Sequence, residues 1–247
     1  MTESQVRSPR SIHRTRSEPP GELRLLDGFD ASYDGSTIEL PPSSQRLLAF
    51  LGLHQRRLSR THVAASLWPG AARPMPSLRN ALWRIHQRSG PSFVITSATD
   101  LTLRSTVPVD FWDITKLALK VSHGAMLEVQ TASRLCRSGE LLPTWPDQWV
   151  VSERERFRQL RLNALETLSK RFAEDGLYGL AVECAFAAVT SAPLRESAHR
   201  PLIQAYLAQG NVDEALRNFR SYCQQLAKYA GAQPSAAFVE LVRPWLH

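Results

Sequence analysis

Several features of large protein classes are missing from this sequence. It has no run of about eighteen apolar residues, which a helix needs in order to cross a membrane. The first segment, MTESQVRSPRSIHRTRSEPPG, contains Arg and Ser but no apolar stretch, unlike a secretory signal. We therefore expect a cytoplasmic protein with no membrane partner.

Cysteine is scarce, and the motifs of common enzymes do not occur. Cys136, Cys184 and Cys223 lie far apart without CxxC spacing, so we expect small core side chains rather than a metal site or a disulfide framework. HExxH, GxSxG and the Gly-rich phosphate loop are missing. Glu153 and Glu155, two residues apart on a predicted helix, point in different directions and suit acid and base catalysis poorly. The sequence predicts no metal, no cofactor and no enzymatic activity.

Negative charge is missing from one long segment. Residues 41–90 contain eight arginines and no aspartate or glutamate. Residues 1–106 carry a net charge of +6, whereas residues 107–247 carry only +1. A block with one sign of charge attracts polyanions through counterion release, while a solvated surface usually mixes signs. Nucleic acid is therefore the leading partner.

The segment SLRNALWRIHQRS, residues 77–89, predicts an amphipathic helix within this block. Its apolar residues, at i, i+3, i+4 and i+7, are Leu78, Ala81, Leu82 and Ile85. The opposite face holds Asn80, Trp83, Arg84 and Gln87, with Arg79, His86 and Arg88 on its flanks. Such a face suits a DNA groove, because Arg can bond guanine bidentately and Asn or Gln can bond adenine. An ordinary solvated helix is the alternative.

The order of predicted elements around this helix is that of a winged helix. The predicted strands are Leu23–Leu26, Phe29–Tyr33, Thr37–Leu40, Phe93–Thr96 and Leu101–Arg104. The predicted helices run from Ser43 or Ser44 to about Gln55, from Ser59 to about Trp68, and over residues 77–89. Asp34-Gly35 predicts a hairpin turn, because a type I′ turn needs positive φ angles. The last two strands form the wing hairpin.

From Val107 onward the sequence predicts helices with balanced charge. Two of them cover about 110–123 and 125–137, and a capping box at Ser152-Glu153-Arg154-Glu155 predicts the start of a long helix. A shift of 34 residues then aligns Leu168 with Leu202, Phe172 with Tyr206, Gly176 with Gly210, and Ala181 with Ala215. This is the tetratricopeptide period, in which antiparallel helix pairs stack on one another. The alternative is a chance match between unrelated amphipathic helices, since only four positions align.

These patterns predict a mainly α protein with a small amount of β structure. We expect a disordered basic arm at 1–20, because this segment has almost nothing to bury. A winged helix-turn-helix DNA-binding domain would cover 21–106. An all-α, tetratricopeptide-like helical-repeat domain would cover 107–247.

Two spans resemble a known family, the SARP-type (Streptomyces antibiotic regulatory protein) transcriptional activators. The span SSQRLLAFLGLHQRRLSRTHVAASLWPG followed by PSLRNALWRIHQR is similar to their OmpR-type winged helix. The spans LLPTWPDQWVVSERERFRQLRLNALETL and APLRESAHRPLIQAYLAQGNVDEALRNF are similar to their bacterial transcriptional activator domain. The resemblance implies an activator that binds direct repeats upstream of a promoter and helps RNA polymerase holoenzyme to engage. It also implies that residues 77–89 form the recognition helix.

The resemblance and the helix pattern together give candidate DNA-binding residues. We expect base contacts from Asn80, Arg84 and Gln87, and backbone contacts from Arg60, Arg79, Arg88 and Arg104. Trp83 has two open interpretations, since it can stack on a sugar or a thymine methyl, or pack under the wing. Asp100 at the wing tip repels phosphate, so the wing touches DNA through Arg104 or not at all.

Two functional hypotheses follow. The first is a sequence-specific transcriptional regulator that is nucleoid-associated and pairs as a homodimer on tandem sites, because one winged helix covers a small footprint. The second is a protein-interaction adaptor whose helical repeats carry the function and whose basic half anchors it nonspecifically to nucleic acid. The ratio of specific to nonspecific DNA affinity distinguishes them.

Overall fold

A computed structural model of the protein describes residues 21–246, and the predicted basic arm at 1–20 lies outside the described residues. The first half alternates two small sheets with three helices. Its elements are β1 (Gly21–Arg24), β2 (Asp30–Tyr33), β3 (Ser36–Thr37), α1 (Pro42–His54), β4 (Leu58–Ser59), α2 (Arg60–Leu67), α3 (Pro74–Ser89), β5 (Val94–Thr96) and β6 (Asp100–Leu103). The predicted order of strands and helices is confirmed, with β4 as a short strand that the sequence pattern missed.

Both sheets are antiparallel and each has three strands. The first has the order β1-β2-β3, and the second has the order β4-β6-β5. Asp34 and Gly35 both have positive φ, 50° and 74°, as the predicted type I′ turn requires. The second sheet contains the wing, which is the hairpin of β5 and β6. Its third strand, β4, leads directly into α2 and so ties the wing to the helices.

The helix starts differ from the predicted ones where side chains find partners elsewhere. Ser44 does not cap α1, because its buried hydroxyl donates to the Ala81 carbonyl of α3 at 3.1 Å. Ser59 does cap α2, accepting a hydrogen bond from the His62 amide at 3.2 Å. The α3 helix starts at Pro74, three residues earlier than predicted. Proline is tolerated in a first turn, where the backbone N–H groups lack intrahelical acceptors.

The second half consists of seven α-helices and a final short 3₁₀ helix (Arg243–Trp245) among the described residues. The α-helices are α4 (Asp110–Ser122), α5 (Val129–Arg137), α6 (Gln148–Glu174), α7 (Tyr178–Ser191), α8 (Glu196–Ala208), α9 (Val212–Ala230) and α10 (Ala236–Val242). Within residues 21–246, no helix combines the length and the apolar character needed to cross a membrane. The predicted fold class, a winged helix followed by tetratricopeptide-like helices, is confirmed.

The 34-residue repeat corresponds to two equivalent helix hairpins, α6 with α7 and α8 with α9. The first turns at Gly176 (φ 74°) and the second at Gly210 (φ 80°). The Leu177 amide donates to the Phe172 carbonyl at 2.7 Å in the first hairpin. At the positions 34 residues later, the Asn211 amide donates to the Tyr206 carbonyl at 2.9 Å. The repeat is therefore structural.

The predicted start of the long helix at Ser152 is wrong. The α6 helix begins four residues earlier, at Gln148, and the Ser152 hydroxyl donates to the Gln148 carbonyl inside it at 3.2 Å. Glu155 cannot complete a capping box because its carboxylate accepts hydrogen bonds from Arg158 and Gln159. Buried Val150 extends the helix toward its N-terminus by packing in the core. Likewise, the predicted helix over 125–137 begins only at Val129.

The two halves share one hydrophobic core that runs from β1 to α8. Polar contacts reinforce the junction. The Asp110 carboxylate accepts hydrogen bonds from the amides of Leu25 and Leu26 at 2.8 and 3.2 Å, and burial raises the pKa of that carboxyl. The Trp112 indole donates to the Gly52 carbonyl at 2.8 Å. The core and these bonds hold the winged helix against the helical half.

Candidate nucleic-acid interface

The α3 helix is the centre of the candidate site, and its buried face is the predicted one. Leu78 and Ala81 are fully buried, Ile85 is 2% exposed, and Leu82 is half-buried. The Ser89 hydroxyl is also buried and donates to the Ile85 carbonyl at 3.0 Å. This stripe packs against α1 and α2. The packing of this stripe fixes the orientation of α3, so the opposite side of the helix faces solvent.

The outward surface of α3 carries two neighbouring rows of exposed side chains. One row contains Arg79, Trp83 and His86, and the other contains Asn80, Arg84 and Gln87. Each row follows the i, i+4, i+7 spacing that places side chains on one helix face. Among the described residues, no carboxylate forms an ion pair with Arg79, Arg84 or Arg88. The surface therefore offers unneutralised donors and positive charge.

A cleft of about 340 Å³ separates α3 from the wing, and the row containing Arg79 lines it. Val94 and Thr96 of β5 form the opposite wall, together with Arg60 from the start of α2. Trp83 is 60% exposed at this cleft. It therefore does not pack beneath the wing, which removes one of the two interpretations of this side chain.

Arg60 links the wing to the helices. Its amide donates to the Thr99 carbonyl at 2.8 Å, and its guanidinium donates to the Ser97 carbonyl at 3.2 Å. At the wing tip, the Asp100 carboxylate accepts a hydrogen bond from the Thr99 hydroxyl at 2.8 Å. Arg60 is half-buried and so has a structural role at the wing in addition to its predicted DNA contact.

Arg104 lies apart from the α3 surface. It lines a second groove, of about 330 Å³, together with Arg56 and Arg57 from the end of α1 and with Ile95 and Thr102 of the wing. The structure therefore places Arg104 on the other side of the hairpin from the α3 cleft. Arg56 and Arg57 are exposed and were not among the candidate residues. Their adjacency within the arginine block is the sequence signal that identifies them.

Arg46, also part of the arginine block, faces the helical half. Its guanidinium pairs with the Asp147 carboxylate at the start of α6, with an Nε to Oδ1 distance of 3.1 Å. The side chain of Asp147 is only 14% exposed. Because Asp147 neutralises Arg46, at most seven of the eight arginines in residues 41–90 are available to an external anion.

The exposed surface of α3 has a composition that suits a polyanion. The exposed row of Asn80, Arg84 and Gln87 has donors and acceptors suited to base edges, and Arg79 beside the cleft has a donor suited to phosphate. Within residues 21–246, no group of three or more His, Cys, Asp and Glu side chains converges as a metal site would require. The fold and this surface define a winged-helix protein joined to a helical-repeat domain.

A family model described as the bacterial transcriptional activator domain matches residues 115–244, more than half of the chain. The chain belongs to this family. The predicted resemblance to SARP-type transcriptional regulators is thus confirmed in the helical half. A search of the curated proteins found no match.

The chain is also similar to a solved structure, that of Mycobacterium tuberculosis EmbR in complex with a low-affinity phosphopeptide. The two share 17% sequence identity with a TM-score of 0.68, and the similarity covers 91% of this chain. This chain spans 64% of the EmbR chain. The similarity supports the fold of both halves.

Proposed function

We propose that the protein is a sequence-specific transcriptional activator that binds direct repeats near promoters and recruits RNA polymerase holoenzyme. The observation that carries the DNA-binding part is the exposed α3 surface, where Arg79, Arg84 and Arg88 have no carboxylate partner among the described residues. Membership of the bacterial transcriptional activator family supports the regulatory part. The protein acts in the cytoplasm at the nucleoid, without catalysis.

The two rows of α3 have different roles in this proposal. Asn80, Arg84 and Gln87 enter the major groove and bond base edges, which gives sequence preference. Arg79 and Arg88 contact phosphates and set the position of the helix on the duplex. Trp83, exposed beside Arg79, stacks on a sugar or a thymine methyl.

The residues around the wing add backbone contacts. Arg60 reaches phosphate from its place at the cleft, and Arg104 does so from the groove that it shares with Arg56 and Arg57. These two positions lie on opposite sides of the β5 and β6 hairpin. A duplex lying across the hairpin would contact both. Asp100 opposes these contacts through repulsion of phosphate.

Direct repeats follow from the size of the interface. A single winged helix covers few base pairs, so a specific site needs two copies side by side. We expect a protein that is a monomer or a weak dimer in solution and pairs on DNA. The helical half then contacts RNA polymerase, as the family resemblance implies.

The decisive experiment is selection of bound fragments from a random DNA pool by the full-length protein at near-physiological salt. We expect enrichment of a tandem repeat with fixed spacing. A variant with Arg79, Arg84 and Arg88 all changed to Ala is expected to enrich nothing. A matched control with Arg156, Arg217 and Arg220 changed to Ala loses the same charge from α6 and α9 and is expected to enrich the same repeat.

Failure of the proposal has a clear signature. If wild-type protein enriches no sequence and its binding simply fades as salt rises, the arginine surface is a nonspecific anchor. A ratio of specific to nonspecific affinity near one favours the adaptor hypothesis, whereas a regulator typically exceeds about a thousand. Polymerase recruitment is tested separately, by transcription in vitro from a promoter that carries the selected repeat.

A further inference from the structure

Two of the three cysteines, 48 residues apart in the sequence, meet in the core of the helical half. The Cys136 Sγ of α5 lies 3.0 Å from the Cys184 Sγ of α7. This is about 1 Å more than the S–S distance of a disulfide, about 2.05 Å. Both cysteines are free thiols. Their contact joins two helices separated in the chain by the whole of α6.

The environments of the two thiols differ in access. Cys136 is 8% exposed and lines a groove of about 570 Å³ between α5, α6 and α7. Cys184 is 1% exposed and does not line that groove. A small reagent in the groove therefore reaches the Cys136 sulfur first, and Cys184 only through Cys136.

The electrostatic surroundings differ as well. Arg161 lines the same groove, and its guanidinium donates to the Cys136 carbonyl at 2.8 Å. The hydrogen bond between the two thiols, in which either sulfur can donate, lowers the pKa of Cys136 with a smaller contribution from the Arg161 charge, while burial and the Glu183 carboxylate oppose this shift. The same hydrogen bond, together with burial, raises the pKa of Cys184. Access from the groove and the nearby Arg161 guanidinium therefore favour Cys136 as the position of the thiolate, which is the nucleophile.

We propose that Cys136 and Cys184 form an oxidative modification site for hydroperoxides, with Cys136 as the attacked thiol and Cys184 as the resolving thiol. The Cys136 thiolate attacks one peroxide oxygen, the O–O bond breaks, and Cys136 becomes a sulfenic acid while hydroxide leaves. The Cys184 sulfur then attacks the Cys136 sulfur, and the sulfenic oxygen leaves as water with the Cys184 proton. Two thiols are oxidised to one disulfide, and one peroxide is reduced.

The site is reversible, because a dithiol reductant restores both thiols by exchange. Its reach into the fold comes from its position at the end of α5. The segment after α5 forms backbone hydrogen bonds with the segment after β1 in the winged-helix half. The Asp27 amide donates to the Glu140 carbonyl, and the Leu142 amide donates to the Leu25 carbonyl. A disulfide between α5 and α7 therefore restrains the end of α5, and the segment after α5 carries the backbone hydrogen bonds to the winged helix. The modification itself does not depend on DNA binding.

The test is treatment of the reduced full-length protein with hydrogen peroxide, followed by alkylation and peptide mapping. We expect a loss of about 2 Da and one intramolecular disulfide joining Cys136 and Cys184, reversed by dithiothreitol. The oxidised protein is expected to melt about 5 °C or more above the reduced protein, because the bond closes a long loop. Cys223, half-buried on α9, provides the internal control and is expected to remain alkylatable.

Variants assign the two roles. Cys184→Ser is expected to lose the disulfide and accumulate a Cys136 sulfenic acid that dimedone captures. Cys136→Ser is expected to slow oxidation of Cys184 by about tenfold or more. Cys223→Ser is expected to behave as wild type. The proposal is overturned if Cys136 and Cys184 of the folded wild-type protein both stay alkylatable after peroxide treatment, or if oxidation occurs first at Cys223.

Discussion

Arginine serves opposite purposes in the two halves of this protein. In the helical half, most arginines pair with carboxylates one turn away or on another helix, as in Arg158 with Glu155 at 2.9 Å and Arg195 with Glu166 at 2.9 Å. On α3 of the winged helix, Arg79, Arg84 and Arg88 have no carboxylate partner among the described residues. The helical half thus neutralises most of its arginines within its own helices. The winged helix leaves these three cations exposed to solvent.

This contrast shows why net charge alone identifies an interface poorly. The second half contains more cationic residues than the first but balances them with an almost equal number of carboxylates. What distinguishes α3 is that its three arginines are exposed, have no carboxylate partner among the described residues and are held on one packed helix. Substitutions of single arginines in each half test this difference.

The largest expected effect is on folding, from Arg161→Ala in the helical half. This guanidinium is 7% exposed and donates to the Leu135 and Cys136 carbonyls at the end of α5 and to the hydroxyls of Ser138 and Ser191. Burial lowers the pKa of the guanidinium. Removal leaves buried acceptors unsatisfied, so we expect a loss of about 3 kcal/mol in the free energy of unfolding. Denaturant titration measures it.

Arg156→Ala is the matched control for that measurement. Arg156 lies on the same helix, its side chain is 82% exposed, and it faces Glu153 at 3.9 Å. Exposed pairs of this kind contribute little, so the change is expected to stay within about 0.5 kcal/mol. If the two variants had equal free energies of unfolding, the buried hydrogen bonds of Arg161 would contribute no more than the exposed ion pair of Arg156.

The second prediction concerns DNA affinity and the winged helix. Arg84→Ala is expected to weaken binding to the selected site by about 1 to 3 kcal/mol and to relax preference at one base position. Arg79→Ala, from the row beside the cleft, is expected to weaken binding to all sequences alike and to reduce the salt slope by about one. Titration of labelled duplexes at several salt concentrations measures both effects.

Arg220→Ala provides the control, because Arg220 is exposed on α9 and removes the same charge from the other half. It is expected to leave specific affinity unchanged. An Arg84→Ala protein that bound its preferred site as tightly as wild type would remove Arg84 from the base contacts.

Arg46 is the exception within the arginine block of residues 41–90. Arg46 belongs to the arginine block in sequence but pairs with Asp147 of the helical half in the structure. We expect Arg46→Ala to lower the free energy of unfolding by about 1.5 kcal/mol and to leave DNA affinity unchanged. Arg84→Ala should show the reverse pattern. Denaturant titration and DNA binding on the same two proteins test the dissociation.

A double-mutant cycle with Asp147→Asn isolates the pair. If Arg46 and Asp147 stabilise the junction together, the double variant should lose clearly less than the sum of the two single losses. Additive losses would mean that the two side chains do not stabilise the junction as a pair. Weaker DNA binding by Arg46→Ala would place Arg46 among the interface residues after all.

How much the sequence predicts depends on whether the determining contacts are local. The buried face of α3 follows from a 3.6-residue period, and the type I′ turn at Asp34 follows from the residue types in that turn. The helix starts at Ser44 and Ser152 were mispredicted because distant groups decide them. Ser44 bonds Ala81, which is 37 residues away, and Val150 extends α6 by packing in the core. No local pattern contains such contacts.

The site shows the same division. Exposure of Asn80, Arg84 and Gln87 follows from the helical period, and the structure agrees. The separation of Arg104 from the α3 cleft depends on how the hairpin twists and on which side of β6 each residue lies. The pairing of Arg46 with Asp147 and the contact of Cys136 with Cys184 join residues 101 and 48 positions apart. Composition indicated the arginine block, and only the fold shows which of its members face outward.

The smallest expected effect comes from the one carboxylate at the wing tip. Asp100 lies within the cationic half, and phosphate repulsion makes it unfavourable for DNA binding. Asp100→Asn keeps an oxygen that can accept the Thr99 hydroxyl, now at 2.8 Å from the carboxylate. We expect DNA affinity to rise by about 0.5 kcal/mol at low salt, and the gain to vanish as added salt screens the charge.

Asp34→Asn is the matched control, because Asp34 is exposed in the other hairpin and asparagine tolerates its positive φ. A gain of equal size in both variants would mean that only net charge matters. A gain confined to Asp100→Asn would place the wing tip beside the DNA backbone.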